Sequence, residues 1–142
     1  SFDPITLGHC EIIMKACEIF DEVIVSVGNN IQKKYMFSID QRLNFISQEF
    51  KSNSKVSVEK YEGLTVDFCK SKNVKHMIRG LRNPADFEFE KKIALFNKSL
   101  ENTETIFLLT SPNNAFISSS MVREIMENGG NYKKFVPSSV TV

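Results

Sequence analysis

Apolar residues recur along this chain with two alternating periods. Between residues 8 and 20, Ile13, Ala16, Cys17 and Phe20 share one helical face. Residues 22–27 carry Val23, Ile24, Val25 and Val27, a nearly continuous β-branched run suited to a strand covered on both faces. Gly28 ends it, and a loop follows through Gln32, Lys33, Lys34 and Tyr35. Ser38 with Gln41 three residues later is a capping-box pattern, opening a helix with Ile39, Leu43, Ile46 and Phe50 at core spacing. Residues 55–61 alternate as a strand, and Gly63 breaks it before a short helix bearing Val66, Phe68 and Cys69. Residues 76–79 read as a short strand closed by Gly80. Pro84 suits the first position of a long helix, on which Phe89, Ile93, Phe96 and Leu100 form an expected buried stripe. Residues 105–109 make a further strand. Ser118 then caps a helix with Met121, Val122, Ile125 and Met126, which Gly129 and Gly130 end.

This alternation predicts an α/β fold: a single Rossmann-like, doubly wound domain over residues 1–142, with a parallel sheet of about five strands. The chain opens on a turn, so its first strand, usually central in such sheets, is expected in roughly ten further residues before Ser1. Residues 135–140 read as the approach to another helix. Ligands in such folds bind beyond the carboxyl ends of the strands. The loops of interest are those before residue 9 and after Val27, Tyr61, Arg79 and Leu109.

Composition narrows the picture further. Among 142 residues, 42% are hydrophobic and 25% charged, values ordinary for a globular core. A formal charge of +1 gives no general attraction to nucleic acid or anionic membrane, so any preference for phosphate must be local. Cys10, Cys17 and Cys69 lack metal-site or disulfide spacing and read as thiols in a reducing compartment. No run of eighteen apolar residues is present. A soluble, cytoplasmic protein is expected. Twelve Phe and no Trp read as core, not as a base-stacking platform, and His76 reads as a surface or packing residue.

The candidate chemistry lies in those loops. In Ser1-Phe2-Asp3-Pro4-Ile5-Thr6-Leu7-Gly8-His9, Pro4 fixes one torsion and biases Asp3 away from the helical region, so a tight turn leads into the helix. Gly8 allows close approach of a ligand. His9 falls in the first helical turn, where free N–H groups favour phosphate. Arg79-Gly80-Leu81-Arg82 places two donor forks around a glycine at a strand end. Lys33 and Lys34 can add cationic donors, although adjacent loop lysines are commonly just solvated. Asp86 and Glu88 suit the helix dipole, while Glu90 lies further in and can turn towards the cleft. Ser118, Ser119 and Ser120 put hydroxyls and N–H groups at another helix start, as a second anion site or as plain caps.

These four segments, the Phe-Asp-Pro-x-Thr-x-Gly-His turn, Ile-Arg-Gly-Leu-Arg, Ala-Asp-Phe-Glu-Phe-Glu and Phe-Ile-Ser-Ser-Ser-x-x-Arg, occur in one order. In that order the chain resembles the bacterial phosphopantetheine adenylyltransferases over essentially its whole length. The resemblance implies transfer of AMP from ATP to 4′-phosphopantetheine with Mg²⁺, giving dephospho-coenzyme A and pyrophosphate. It also implies a homohexamer, with coenzyme A as a feedback ligand and neither nucleic acid nor membrane as partner. Carried over by position, catalysis falls to His9, Lys33 and Arg79. ATP would meet Ser1, Phe2, His9, Gly80, Leu81, Arg82 and Glu90, with Asn114, Ala115, Phe116, Ile117, Ser118, Ser119 and Ser120 on its other side. Phosphopantetheine would meet Ser1, Lys33 and Arg79, with Leu64 and Thr65 along its arm. No metal ligands are assigned. Phe89, Asn114 and Thr65 depart from the family pattern.

The attacking phosphate is already an anion, so such a reaction needs no general base. It needs alignment and stabilisation of the charge that develops at the α-phosphorus. Two alternatives stay open on sequence: a sister enzyme acting on nicotinamide mononucleotide or an alcohol phosphate such as glycerol phosphate, and a non-catalytic nucleotide-sensing module.

Overall fold

The computed structural model describes residues 2–30 and 32–142. Helix α1 (Leu7–Ile19) leads to strand β1 (Val23–Gly28), α2 (Ile39–Glu49), β2 (Val56–Tyr61) and α3 (Thr65–Ser71). Strand β3 (His76–Leu81), α4 (Pro84–Glu101), β4 (Glu104–Leu109), α5 (Ser119–Glu127) and a 3₁₀ turn (Tyr132–Lys134) complete the order.

The helix starts follow their local chemistry. At α2, Ser38 Oγ accepts from Gln41 N while Gln41 Oε1 accepts from Ser38 N, closing the capping box. Asn83 caps α4 with Pro84 beside it, and Asn102 ends that helix in the left-handed region at φ 51°. Ser118 caps α5, and Gly129 follows its end at φ 68°, a conformation favouring glycine.

The four strands expected within this chain form, and each pairs in parallel. Val23 to Gly28 register with Val56 to Tyr61, and His76 to Leu81 with Glu104 to Leu109. The four described strands make two separate two-stranded ladders, not one sheet of about five. Each of β1 and β3 is hydrogen-bonded along one edge only, and α1 packs against β1, β3 and β4. One helix therefore links the two ladders where no backbone ladder does.

The core is concentrated on the β1–β2 side. Ile13 and Cys17 of α1, Val25 and Val27 of β1, and Phe45 and Ile46 of α2 form one buried cluster with Ile5, Ile117, Val122, Val136 and Val140. Phe37 meets Phe45 edge-on with centroids 5.2 Å apart. Each fully buried side chain of this size contributes about 1.5–3 kcal/mol of transfer energy.

Two expectations change. The stripe of α4 is not buried: Phe89 is 65% exposed and Phe96 69%, with Ile93 and Leu100 exposed as well. An 18-residue helix runs about 27 Å, whereas its six-residue strands reach about 20 Å and lie about 5 Å apart. The ladder is too short and too narrow to cover the helix face. Contact is held instead by packing such as Phe87 edge-on to Phe107 at 5.7 Å. Gly80, in turn, does not close β3, which continues to Leu81. A Cβ at Gly80 would stand 2.8 Å from Ile12 Cγ1, so this glycine lets α1 lie directly on the strand.

Candidate active site

The first turn is the hub to which the other loops attach. Thr6, 1% exposed, caps α1 in an extended conformation, and His9 occupies the third helical position. The Thr6 N–H donates to His9 Nδ1 at 3.1 Å, and the His9 N–H donates to Thr6 Oγ1 at 3.4 Å. A histidine thus takes the place of the usual Glu or Gln in a capping box.

That bond settles the tautomer. A backbone N–H can only donate, so Nδ1 is an acceptor and the neutral ring carries its proton on Nε2. The ring stays neutral at physiological pH because its pKa is lowered to about 4. Burial is the largest cause, and nearby positive charge, including Arg82 and then Arg79, adds to it. His9 therefore offers an uncharged Nε2–H donor close enough to Arg82 and Arg79 to sense their charge. Phe2, in the left-handed region at φ 52°, sets its ring 4.9 Å from the imidazole.

Both site arginines are held in bidentate pairs from α4. Arg79 Nε and Nη2 donate to the two carboxylate oxygens of Glu90 at 2.8 and 2.6 Å. Arg82 pairs through Nε and Nη2 with Asp86, which also accepts from the Arg82 N–H. Mutual hydrogen bonding is the largest cause that lifts the Arg82 pKa and depresses that of Asp86. The Arg79 and Arg82 side chains remain 47% and 36% exposed, so both guanidinium groups stay partly open to solvent. Leu81, between them in sequence, is buried.

On the opposite side, the loop after β4 and the start of α5 close on the first turn. Ser119 Oγ donates to Pro4 O at 2.8 Å, and Arg123 Nη1 donates to Asp3 O at 2.6 Å. Ser118 caps the Met121 N–H and lies 3.1 Å from the Ser120 hydroxyl. The Ser119 and Ser120 N–H groups, at the first two positions, have no acceptor within the helix itself. Asn114 O is the nearest neighbour that a Cβ on Gly8 would meet, at 3.5 Å. Ile117 is buried, Ala115 half-buried, and Phe116 exposed with its ring edge-on to Phe135.

The remaining site candidates lie further off. Lys33 is exposed in a turn where its N–H donates to Asn30 O. Its loop is tied to the hub through Asp3, 2% exposed, whose two oxygens accept from Met36 N at 3.0 Å and Phe37 N at 2.9 Å. Leu64 is exposed, and Thr65 Oγ1 is 2.8 Å from Tyr61 Oη, so both attach to the end of β2 and not to His9. Ser1 lies outside the described residues. His9, Arg79, Arg82, Asn114 and Ser119 thus gather at the first turn, with Lys33 linked to it and Leu64–Thr65 apart.

Sequence reasoning assigned no role to two carboxylates that build this hub. Asp3 is one. The other is Glu11, whose oxygens accept from Lys15, Ser111 and Asn114. The signal was faint: Asp3 lay within a recognised motif, and Glu11 had only Lys15 four residues on. Cys10 is no nucleophile, because burial and then the charge of Glu49 push its thiol up to about 12. Among the described residues, no three His, Cys, Asp or Glu side chains converge as a metal cage.

A helix-start histidine, strand-end arginines and a serine-capped helix around one turn define a nucleotidylyltransferase-type site. In keeping with that class, residues 1–125 match the family described as Cytidylyltransferase-like. The chain is also 54% identical over 142 residues to the phosphopantetheine adenylyltransferase of Flavobacterium psychrophilum, covering 100% of this chain and 94% of the relative. The enzyme of that name from Christiangramia forsetii is 53% identical over 140 residues, with 99% and 93% covered. That from Clostridium perfringens is 44% identical over 141 residues, with 99% and 86% covered. The chain belongs to the phosphopantetheine adenylyltransferase family.

Proposed function

We propose that this protein transfers the adenylyl group of ATP to 4′-phosphopantetheine, giving dephospho-coenzyme A and pyrophosphate. The observation that carries the reading is the neutral His9, held by Thr6 with its Nε2–H unengaged by that cap, under the charge of Arg82 and Arg79. The acceptor phosphate attacks the α-phosphorus, the new P–O bond forms, and pyrophosphate leaves with the electron pair of the broken bond. His9 Nε2–H donates to the charge that grows on the α-phosphoryl oxygens. Arg79 holds the acceptor phosphate, with Lys33 joining from the loop that Asp3 anchors, and Arg82 meets the nucleotide. The start of α5, with Ser119 and Ser120, receives the β- and γ-phosphates. Mg²⁺ bound to ATP would supply counter-charge to its phosphates.

Each arginine exchanges a carboxylate of α4 for a phosphate on binding. That exchange releases Glu90 towards the adenosine, in keeping with its place among the ATP residues. Leu64 and Thr65 border the pantetheine arm. Coenzyme A contains the same arm and acts as a feedback ligand.

The fuller architecture is a single domain with one parallel sheet of about five strands. A fifth strand between β1 and β3 would join the two ladders; the edge on each that is unpaired among the described residues, beneath a shared α1, supports it. The assembly is a homohexamer, supported by the exposed apolar stripe Phe89, Ile93, Phe96 and Leu100 on α4. No described helix is long and apolar enough to cross a membrane, and all three cysteines are free thiols. Both features suit a cytoplasmic location.

The test is pyrophosphate release from ATP with a panel of acceptors: 4′-phosphopantetheine, nicotinamide mononucleotide and glycerol phosphate. Release with the first alone supports the reading. Release only with another assigns a sister activity, and ATP binding without release under any condition assigns a sensing role.

A further inference from the structure

One stripe of α1 faces away from the His9 cap and grips the far end of β4. Gly8, Glu11 and Lys15 recur at three and four residues, so they stand on one face. Lys15 Nζ donates to Leu109 O at 2.6 Å, where β4 ends. Glu11 Oε1 accepts from Lys15 Nζ at 2.7 Å and from the Ser111 N–H at 2.8 Å. Its Oε2 accepts from Ser111 Oγ at 2.8 Å and Asn114 Nδ2 at 2.7 Å. A carboxylate has about four lone-pair sites, and all are used here.

We propose that Glu11 is the positioning residue that sets the nucleotide loop, residues 111–120, at a fixed height against the helix carrying His9. The proposal rests on the reading that this loop holds ATP. With no lone pair left, Glu11 serves neither as a base nor as a metal ligand; its chemistry is spent on the loop. The constraint is passed on through backbone bonds: Ser111 O accepts from Asn114 N and Ala115 N, and Asn114 O accepts from Ile117 N, next to the Ser118 cap. Glu11, two residues beyond His9, thus ties the loop to α1 at Ser111 and Asn114, while Lys15 holds the end of β4 at Leu109. The carboxylate is stably ionised. Burial alone would raise its pKa, but the bonds from Lys15, Asn114 and Ser111 outweigh that and hold it at about 2.

The test uses the full protein with Glu11→Gln, Glu11→Asp and Ser111→Ala, reading ATP affinity by calorimetry and steady-state rates by pyrophosphate release. Glu11→Gln turns an amide NH₂ towards donors, and two lost anchors correspond to an ATP Kd and KM raised about ten- to thirtyfold. The KM for phosphopantetheine should move less than about threefold, since the acceptor side hangs on other anchors. Glu11→Asp should recover part of the ATP affinity, and Ser111→Ala should lose about three- to tenfold. An unchanged ATP Kd, or equal rises in both KM values, overturns the proposal. If Glu11→Gln does not fold, Ser111→Ala decides alone by the same ATP readout. Should the unaltered protein bind ATP but release no pyrophosphate with phosphopantetheine, the adenylyl-transfer reading falls while ATP affinity still decides the role of Glu11. No ATP binding by the unaltered protein overturns both.

Discussion

His9 does two jobs through two nitrogens, and substitutions can separate them. Nδ1 accepts the N–H of Thr6, a residue only 1% exposed, which leaves Nε2–H as the donor that the proposed function assigns to the phosphates. His9→Ala removes both. The buried Thr6 N–H then lacks its acceptor, at a cost of about 1–3 kcal/mol. The better helix propensity of alanine returns about 0.5 kcal/mol. A net loss of about 0.5–2.5 kcal/mol lowers Tm by roughly 1–10 °C for a chain of this size. The protein contains its own control for the repair, since Gln41 Oε1 accepts from Ser38 N at 3.0 Å in the matching position of α2. His9→Gln and His9→Glu should therefore restore the capping box and keep Tm close to that of the unaltered protein. The rate should behave differently. Loss of a donor aimed at developing charge costs about 10²–10³ in kcat. His9→Gln, which keeps an amide N–H, should retain part of the rate. His9→Glu, an acceptor with a negative charge, should be no faster than His9→Ala. Thermal melts give the first order and pyrophosphate release the second, with the ATP Kd from calorimetry changing far less than kcat. If kcat merely tracks Tm across the series, or if the whole loss appears in ATP affinity, the two-nitrogen assignment is wrong.

Three further outcomes follow from the same geometry. The His9 pKa of about 4 lies below its ordinary 6.5, so between these values the unfolded chain binds more protons. Stability should hold above pH 6.5 and fall by up to about 3 kcal/mol as pH drops towards 4, and melts of His9→Gln should lack that component. Asp3→Asn turns an NH₂ towards the Met36 or Phe37 N–H. It should cost about 1–3 kcal/mol and raise the KM for phosphopantetheine more than that for ATP, read from melts and steady-state rates. Phe96→Ser, at a position 69% exposed on α4, should leave the protomer's fold intact by circular dichroism while reducing the assembly mass in sedimentation; an unchanged mass would remove α4 from the interface.

Local chemistry was legible along the chain because it acts over three or four residues. Ser38 with Gln41, and Ser118, marked helix starts from side chains that bond their own neighbours, and Pro84 marked one through its fixed φ at the first helical position. A β-branched run marked β1 and alternation marked β2, and the ordered motifs around His9, Arg79 and Ser118 carried the family. What needed the folded chain was every bond between distant segments. Glu11 meets Ser111 across 100 residues, and no periodicity announces such a pair. The protonated nitrogen of His9 follows from one hydrogen-bond direction, and the need for glycine at position 80 from the approach of Ile12. The stripe of α4 shows the same limit from the other side. Its spacing records that Phe89, Ile93, Phe96 and Leu100 share a face, but only the extent of the neighbouring ladder decides whether that face is covered.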